Sequence, residues 1–261
     1  MLRFSEVLFE KTYWRSKLSK IVRPLAFHGI LGTIELCGAK AIQHVLWFTP
    51  SRRRNRAVAQ EPDEFDRKWG MDTSGTLVPD ESGVIGSNWI YGSKYRGCNS
   101  TALGEVLRQL PIQYEHFTFV DLGSGKGRAI LVASRFPFRR IMGVEYSEQL
   151  NEIARFNVSR FPKAERRCKE IDIVCADAAK FPIPEHPLVI FLYNPFARRV
   201  MTQVVKNVLT SFRQDPRRII VLYLNAEFAD VWRNASFMEE IAVSRWITIY
   251  DTQPRKASTF S

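Results

Sequence analysis

The sequence predicts an α/β fold built on a doubly wound, mostly parallel sheet. Three observations support this fold class. From about residue 101 onward, short apolar runs alternate with segments of helical periodicity. The stretch VDLGSGKGRAIL, residues 120–131, places three glycines between an apolar run and a helical segment. The chain also has 45% hydrophobic and 12% aromatic residues, enough for a sizeable core. Such alternation is typical of parallel sheets covered by helices on both faces.

Seven strands and five helices are predicted in this region. The strands, taken from the apolar runs, cover residues 117–122, 140–145, 171–175, 188–193, 218–224, 240–243 and 246–250. The helices, taken from the spacing of apolar residues between those runs, cover residues 101–110, 125–135, 147–161, 197–212 and 226–234.

Residues 1–60 are predicted to form a basic helical extension. They contain 11 Lys/Arg against 3 Asp/Glu, a net charge of +8 out of +11 for the whole chain. In residues 25–48 apolar side chains recur at helical spacing, but His28, Glu35, Lys40 and His44 interrupt the roughly 20 apolar residues that a membrane span needs. We expect an amphipathic helix there. Its positive charge is suited to an acidic partner such as a membrane surface or nucleic acid. The alternative is a solvated basic face on helices that pack against the main domain.

The remaining segments are assigned by composition. Pro62, Pro79 and six glycines interrupt residues 61–100, which predicts a loop or a lid; the main domain is expected over 101–255 and a tail over 256–261. The four cysteines form no CxxC pair and the four histidines are scattered, so neither a metal site nor a disulfide framework is predicted. With neither a secretory signal nor a membrane span in the sequence, we expect a cytoplasmic protein, with peripheral membrane binding left open.

The glycine loop is of a kind that holds nucleotide-type ligands. Glycines between a strand and a helix let the backbone approach a ligand, and the helix start offers N–H groups. A Walker A loop is excluded because Gly127 follows Gly125-Lys126 where that motif requires Ser or Thr. The dinucleotide fingerprint GxGxxG fits poorly because Arg128 would occupy its third small position.

The remaining pattern, acid-x-Gly-x-Gly-x-Gly, resembles the loop of the class I S-adenosylmethionine-dependent methyltransferases, which have a Rossmann-like fold. GVEYS (143–147), CADAAKF (175–181) and IFLYNPF (190–196) end the next strands where that family places its site. The resemblance covers about residues 100–253 and implies a seven-stranded sheet with a reversed final strand pair. It also implies S-adenosylmethionine as cofactor, with Glu145 on the ribose hydroxyls and Asp177 on the adenine amino group. The implied donor-binding residues are Asp121, Gly123, Ser124, Gly125, Gly127, Glu145, Tyr146, Asp177, Ala178 and Asn194.

Each acidic residue also has a plain structural interpretation. In that interpretation Asp121 caps the turn, Glu145 is an ordinary exposed acid at the end of a strand, and Asp177 caps the following helix. Lys126 and Arg128 either face solvent or meet the donor's carboxylate.

The stretch YNPF, residues 193–196, is the candidate site for the methyl acceptor. This stretch resembles the (D/N)PP(Y/F) motif of nitrogen methyltransferases, although it lacks one proline. The resemblance implies Asn194, Pro195 and Phe196 as catalytic residues: the Asn oxygen and a backbone carbonyl accept hydrogen bonds from the target NH2, and the ring covers it. Phe196 as a core residue and Asn194 as a turn former are the alternatives.

The segment before the glycine loop looks like the lid of related lysine methyltransferases, with Tyr91, Tyr95 and Arg96 as its contacts. The predicted function is transfer of a methyl group, an EC 2.1.1-type reaction, to a nitrogen of a protein side chain or a small-molecule amine. A nucleic-acid methyltransferase and a non-catalytic module that docks through its basic arm are the alternatives.

Overall fold

The computed structural model describes residues 63–75, 97–243 and 246–253, and a seven-stranded sheet runs through them. The strands are β1 (Thr118–Leu122), β2 (Arg140–Glu145), β3 (Ile171–Cys175), β4 (Leu188–Tyr193), β5 (Ile219–Leu224), β6 (Glu239–Val243) and β7 (Ile247–Asp251). The α-helices are α1 (Glu64–Trp69), α2 (Ser100–Gln109), α3 (Arg128–Ala133), α4 (Glu148–Arg160), α5 (Arg198–Gln214) and α6 (Ala229–Arg233). The predicted basic extension, residues 1–60, lies outside the described residues.

The strand order is β3-β2-β1-β4-β5-β7-β6. Pairing is parallel from β3 through β5, and β7 runs antiparallel to both β5 and β6. The predicted mostly parallel, doubly wound sheet with a reversed final pair is therefore confirmed. The chain winds outward from β1 in one direction and from β4 in the other, so the carboxyl ends of these neighbouring strands form a crevice. Open α/β sheets bind ligands at such a point.

Side chains that alternate along each strand build two apolar layers. In β5, Ile219, Val221 and Tyr223 pack in the layer that α5 and α6 cover. Their neighbours Ile220 and Leu222 pack in the opposite layer with residues of α2 and α3. Because both faces of a central strand are buried, its sequence is a continuous apolar run instead of an alternating one. This is why the central strands were predictable from sequence.

Two predicted boundaries need correction near the glycine loop and upstream of it. The loop prediction over residues 61–100 is wrong for Glu64–Trp69, which form α1; Asp63 caps its first turn and Gly70, at φ 66°, ends it. A helix of six residues is too short to show a helical period in the sequence. The helix predicted over 125–135 begins only at Arg128, because Gly125 and Gly127 have left-handed φ values of 52° and 85°.

The helix predicted over 226–234 is also shorter and covers only Ala229–Arg233. Asn225, directly after β5, has φ 47°, and the Glu227 N–H donates to the Asn225 carbonyl at 2.7 Å. This tight turn uses the residues that were predicted to open the helix.

Candidate functional site

The glycine loop lies at the carboxyl end of β1 with an unusual backbone. Gly123, Gly125 and Gly127 have φ values of 90°, 52° and 85°, a region that residues with a Cβ avoid. The Gly123 and Ser124 N–H groups donate to the Val144 carbonyl at 2.8 and 3.1 Å, which fixes the loop on β2. A Cβ on Gly123 would lie 2.4 Å from Cβ of Pro195. Position 123 therefore requires glycine, both because of its φ value and because there is no room for a Cβ.

Glu145 ends β2 with its side chain folded onto this loop. Its two carboxylate oxygens accept one backbone hydrogen bond each, from Gly125 N–H and Ser147 N–H, both at 3.0 Å. Asn151 supports the turn, because its amide donates to the carbonyls of Glu145 and Ser147 at 2.9 and 3.0 Å. Glu145 is 5% exposed, so its interpretation as an exposed strand-end acid is wrong. Burial raises the pKa of its carboxyl from 4.5 to about 7, although the backbone donors oppose the shift.

Asp121 is the second buried acid of the loop and is 3% exposed. Burial, and then the charge of Glu145, raise the pKa of Asp121 well above its ordinary value. Burial and a neighbouring acid disfavour the charged form of each carboxyl, whereas hydrogen-bond donors or a positive charge on a ligand would favour it. Such perturbed groups in a crevice are typical of functional sites.

The other predicted donor-binding residues surround this pair. Ser124 is 4% exposed, and its hydroxyl has no hydrogen-bond partner within the described part of the chain. Asp177 follows β3, is 7% exposed, and accepts a hydrogen bond from Ala179 N–H at 2.9 Å. Ala178 is buried and Tyr146 half-buried beside them. The crevice thus offers carboxylates, a hydroxyl and glycine backbone, a set that fits the ribose and adenine of S-adenosylmethionine.

Lys126 and Arg128 do not face solvent; the side chain of Arg128 is only 6% exposed. The guanidinium lies between α1 and the segment after it. Its partners are Asp63, Asp66 at 3.6 Å, Thr73 Oγ1 at 2.8 Å, Ser74 Oγ at 2.9 Å and the Cys98 carbonyl at 3.1 Å. The Lys126 ammonium bonds Asp72 at 2.6 Å and the Ser74 carbonyl at 3.0 Å. Both cations therefore hold residues 63–75, which we call the strap, against the glycine loop.

Asn157 of α4 completes the attachment of the strap. Its amide donates to the carbonyls of Asp72 and Lys126 at 2.8 and 3.0 Å, and its oxygen accepts from Asp72 N–H at 3.0 Å. Asn157 is fully buried. Sequence reasoning missed this residue and the acids of the strap. The only signal was the density of acidic and hydroxyl residues in DEFDRKWGMDTS.

Asn194, Pro195 and Phe196 follow β4 on the other side of the loop. Asn194 has φ 42°, and its amide donates to Glu227 Oε2 at 2.8 Å. Pro195 is buried against Gly123, so the predicted acceptor motif and the predicted donor loop are in contact. Phe196 is 6% exposed and packs in the apolar layer beneath α5, where a core residue would lie.

Some predictions fall outside what the structure describes. Tyr91, Tyr95 and Arg96, the predicted lid contacts, lie outside the described residues. Within residues 63–75, 97–243 and 246–253, no group of three or more His, Cys, Asp or Glu residues is placed to hold a metal ion. In the same ranges, no helix is long and apolar enough to cross a membrane.

Comparison with known proteins gives one family match. The family described as "Histone methylation protein DOT1" matches residues 84–172, about a third of the chain. No curated protein sequence matches the chain.

Solved structures of similar shape are distant in sequence. A predicted N6-adenine-specific DNA methylase from Listeria monocytogenes is 13% identical, with 60% of this chain and 52% of that chain covered and a TM-score of 0.45. The ribosomal protein L11 methylase from Lactobacillus delbrueckii is 12% identical, with coverages of 68% and 84% and a TM-score of 0.42. An RNA methyltransferase from Salinibacter ruber, in complex with S-adenosyl-L-homocysteine, is 19% identical, with coverages of 63% and 98% and a TM-score of 0.41. The chain spans about half the length of the first of these structures.

The strand order and the acid and glycine loop after β1 are those of the class I S-adenosylmethionine-dependent methyltransferase fold, which the glycine loop predicted. The DOT1 match over residues 84–172 supports this resemblance.

Proposed function

We propose that this methyltransferase transfers a methyl group to an amine nitrogen, either of a lysine-type protein side chain or of a small molecule. The observation that carries the proposal is the contact between the two halves of the crevice. Gly123 of the donor loop lies against Pro195, and Asn194 stands next to it at the mouth of the sheet. The DOT1 match supports a lysine-type acceptor.

On the donor side, the proposal assigns Glu145 to the ribose and Asp177 to the adenine amino group. Each oxygen of Glu145 accepts one backbone bond, and a carboxylate oxygen is able to accept a second. The two ribose hydroxyls supply such donors. Asp121, Ser124 and the glycine backbone then surround the methionine part, with Tyr146 and Ala178 beside the adenosine.

On the acceptor side, Asn194 and the carbonyl near Pro195 accept hydrogen bonds from the target amine and so align its lone pair. S-adenosylmethionine supplies a methyl group on a positively charged sulfur, which is a good leaving group. The N–C bond forms as the S–C bond breaks, the electron pair stays on sulfur, and the nitrogen gives one proton to solvent. Alignment supplies most of the rate in such a transfer, so few catalytic residues are needed.

Residues 1–60 enter the proposal as a docking element. Their net charge of +8 is suited to an acidic partner, and the rest of the chain carries only +3. We assign them to substrate or surface docking and not to donor binding.

Calorimetric titration with S-adenosylmethionine tests the donor site. Glu145→Ala removes the acceptor of two ribose hydrogen bonds, which costs about 2–3 kcal/mol, or roughly 30- to 150-fold in affinity. Glu148→Ala is the matched control, because Glu148 is an exposed acid three residues further along that pairs with Arg155. Equal affinity of the Glu145 variant and the wild-type chain would refute the assignment.

Radiolabelled donor tests the acceptor. The protein is incubated with a lysate that lacks its own copy of the gene, and the products are separated by size and by lability. Stable label on protein or in the small-molecule fraction supports an amine, whereas base-labile ester, thiol or nucleic-acid label contradicts it. Asn194→Ala is expected to lower turnover about 100-fold with donor affinity nearly unchanged, because its proposed hydrogen bonds to the amine act in the transition state and not in donor binding. Donor binding without transfer to any fraction would favour a non-catalytic module.

A further inference from the structure

The side chain of Asn194 is held from two sides by residues that the methyltransferase motif does not include. Its amide NH2 donates to Glu227 Oε2 at 2.8 Å. Its oxygen lies 3.4 Å from the hydroxyl of Tyr223, the penultimate residue of β5. Glu227 and Tyr223 are 33 and 29 residues away in sequence, and the β4–β5 pairing of Tyr193 with Leu224 brings them to the same edge of the sheet.

The chemistry of these partners fixes which way the amide faces. An ionised carboxylate accepts hydrogen bonds and donates none, so the NH2 group must face Glu227 and the oxygen must face Tyr223. The Tyr223 hydroxyl accepts from Phe228 N–H at 3.4 Å, which directs its own proton toward Asn194. Burial raises the pKa of Tyr223, so the phenol keeps that proton. The carbonyl oxygen of Asn194 is thereby set at the mouth of the crevice.

Two tight backbone turns place Glu227 beside Asn194. Asn194 and Asn225 directly follow β4 and β5, and both are in the left-handed region, with φ values of 42° and 47°. Non-glycine residues in this region are sparse and cluster at functional sites. The Glu227 N–H closes the second turn on the Asn225 carbonyl at 2.7 Å.

An acidic side chain lies beside the target position at this edge of the sheet. Glu227 is exposed and ends in a carboxylate next to Asn194. The next acid along the chain, Asp230 in α6, is held by both terminal nitrogens of Arg198, at 2.5 and 3.0 Å. Arg198 in turn lies over the Phe228 ring, 5.1 Å from its centroid. A cation that approaches the Asn194 side chain comes close to the carboxylate of Glu227, which accepts from the Asn194 amide.

We propose that Glu227 is a positioning and specificity residue of the acceptor site, which orients the Asn194 amide and selects an alkylammonium group. The proposal rests on the proposed function, transfer to an amine. The ammonium loses one proton to solvent before its nitrogen attacks, and Glu227 holds the charged form at the mouth of the crevice until then. The alkylammonium belongs either to a lysine side chain or to a small amine.

Two variants separate orientation from charge. Glu227→Gln keeps an oxygen that accepts from the Asn194 amide but removes the negative charge, so KM for a cationic acceptor should rise about 10-fold with kcat within threefold. Glu227→Leu removes both features, so kcat should also fall about 10-fold because Asn194 is released. Donor affinity should be unchanged in both variants. Asp230→Asn is the matched control, since it removes the same charge three residues away without touching Asn194.

Methyl transfer is measured with two probes, a ten-residue lysine-containing peptide and n-butylamine, at pH 8. Transfer to the peptide alone identifies the source as a protein side chain, and transfer to butylamine as well identifies a small-amine site. A wild-type KM in Glu227→Gln, or an equal rise in Asp230→Asn, would overturn the proposal. Absence of wild-type transfer to both probes, with donor still bound, would overturn the alkylammonium assignment alone. The lysate labelling described above decides separately whether nitrogen is methylated.

Discussion

Replacing Arg128 with methionine should destabilise the protein far more than a surface substitution of the same kind. Methionine keeps most of the apolar stem but removes the guanidinium that holds the strap. The side chain of Asp66 is 1% exposed and would then be a buried acid without its cation. Removal of one partner of a buried ion pair costs about 3–5 kcal/mol. Thr73 still donates two hydrogen bonds to Asp66, at 2.9 and 2.5 Å, so we expect the lower end of that range.

The control is Arg135→Met, seven residues further along. Arg135 pairs with Glu165 at 3.2 Å, but the two side chains are 45% and 35% exposed. Exposed pairs contribute about 0.2–1 kcal/mol, so this variant should be nearly neutral. Thermal unfolding measures both variants. For a protein of this size, 1 kcal/mol shifts Tm by about 2–4 °C, so Arg128→Met should lower Tm by at least about 6 °C. Equal Tm shifts in the two variants would show that the strap is not held by Arg128.

Two further predictions follow from the same buried charges. Between pH 4.5 and 7, Glu145 is ionised in the unfolded chain but still protonated in the folded one, so the free energy of unfolding should fall by about 3 kcal/mol as pH rises through this window. Glu145→Gln should abolish that loss, which urea unfolding at pH 4.5 and pH 8 measures. Equal pH dependence in the variant and the wild-type protein would contradict this prediction. A truncated chain that starts at residue 61 keeps the strap and should retain its affinity for the donor, as measured by calorimetry. A chain that starts at residue 76 loses every strap partner of Arg128 and should bind the donor weakly or unfold. Loss of donor binding in the first truncation would show that residues 1–60 belong to the core.

The sheet was predictable because its signal is local. β2, β3 and β4 begin and end at the residues that the apolar runs predicted, since strands buried on both faces are bounded by polar or turn residues. The glycine loop was predictable for a similar reason. Gly123, Gly125 and Gly127 stand at alternate positions of one short stretch, and their spacing already indicates a backbone that residues with a Cβ avoid.

The contacts that hold the site together were not predictable in this way. Arg128 meets Asp63 across 65 residues of sequence, and Asn194 meets Glu227 across 33. No periodicity links such pairs, and a charged residue in a loop is exposed far more often than buried. These contacts depend on which elements become neighbours in space, and that arrangement is known only once the sheet is assembled.

The glycine loop is confined from two opposite directions, and the cations that lie between and after its glycines provide one of these two constraints. On one side Pro195 lies so close to Gly123 that a Cβ would not fit. On the other, Lys126 and Arg128 tie the end of the loop to the strap and, through Asn157, to α4. A loop fixed at both ends has little conformational freedom left to lose, so its N–H groups are already arranged before a ligand binds, and less binding energy is spent on ordering them. The same confinement keeps Pro195, and Asn194 next to it, beside the glycine loop, which is the alignment that the proposed methyl transfer requires.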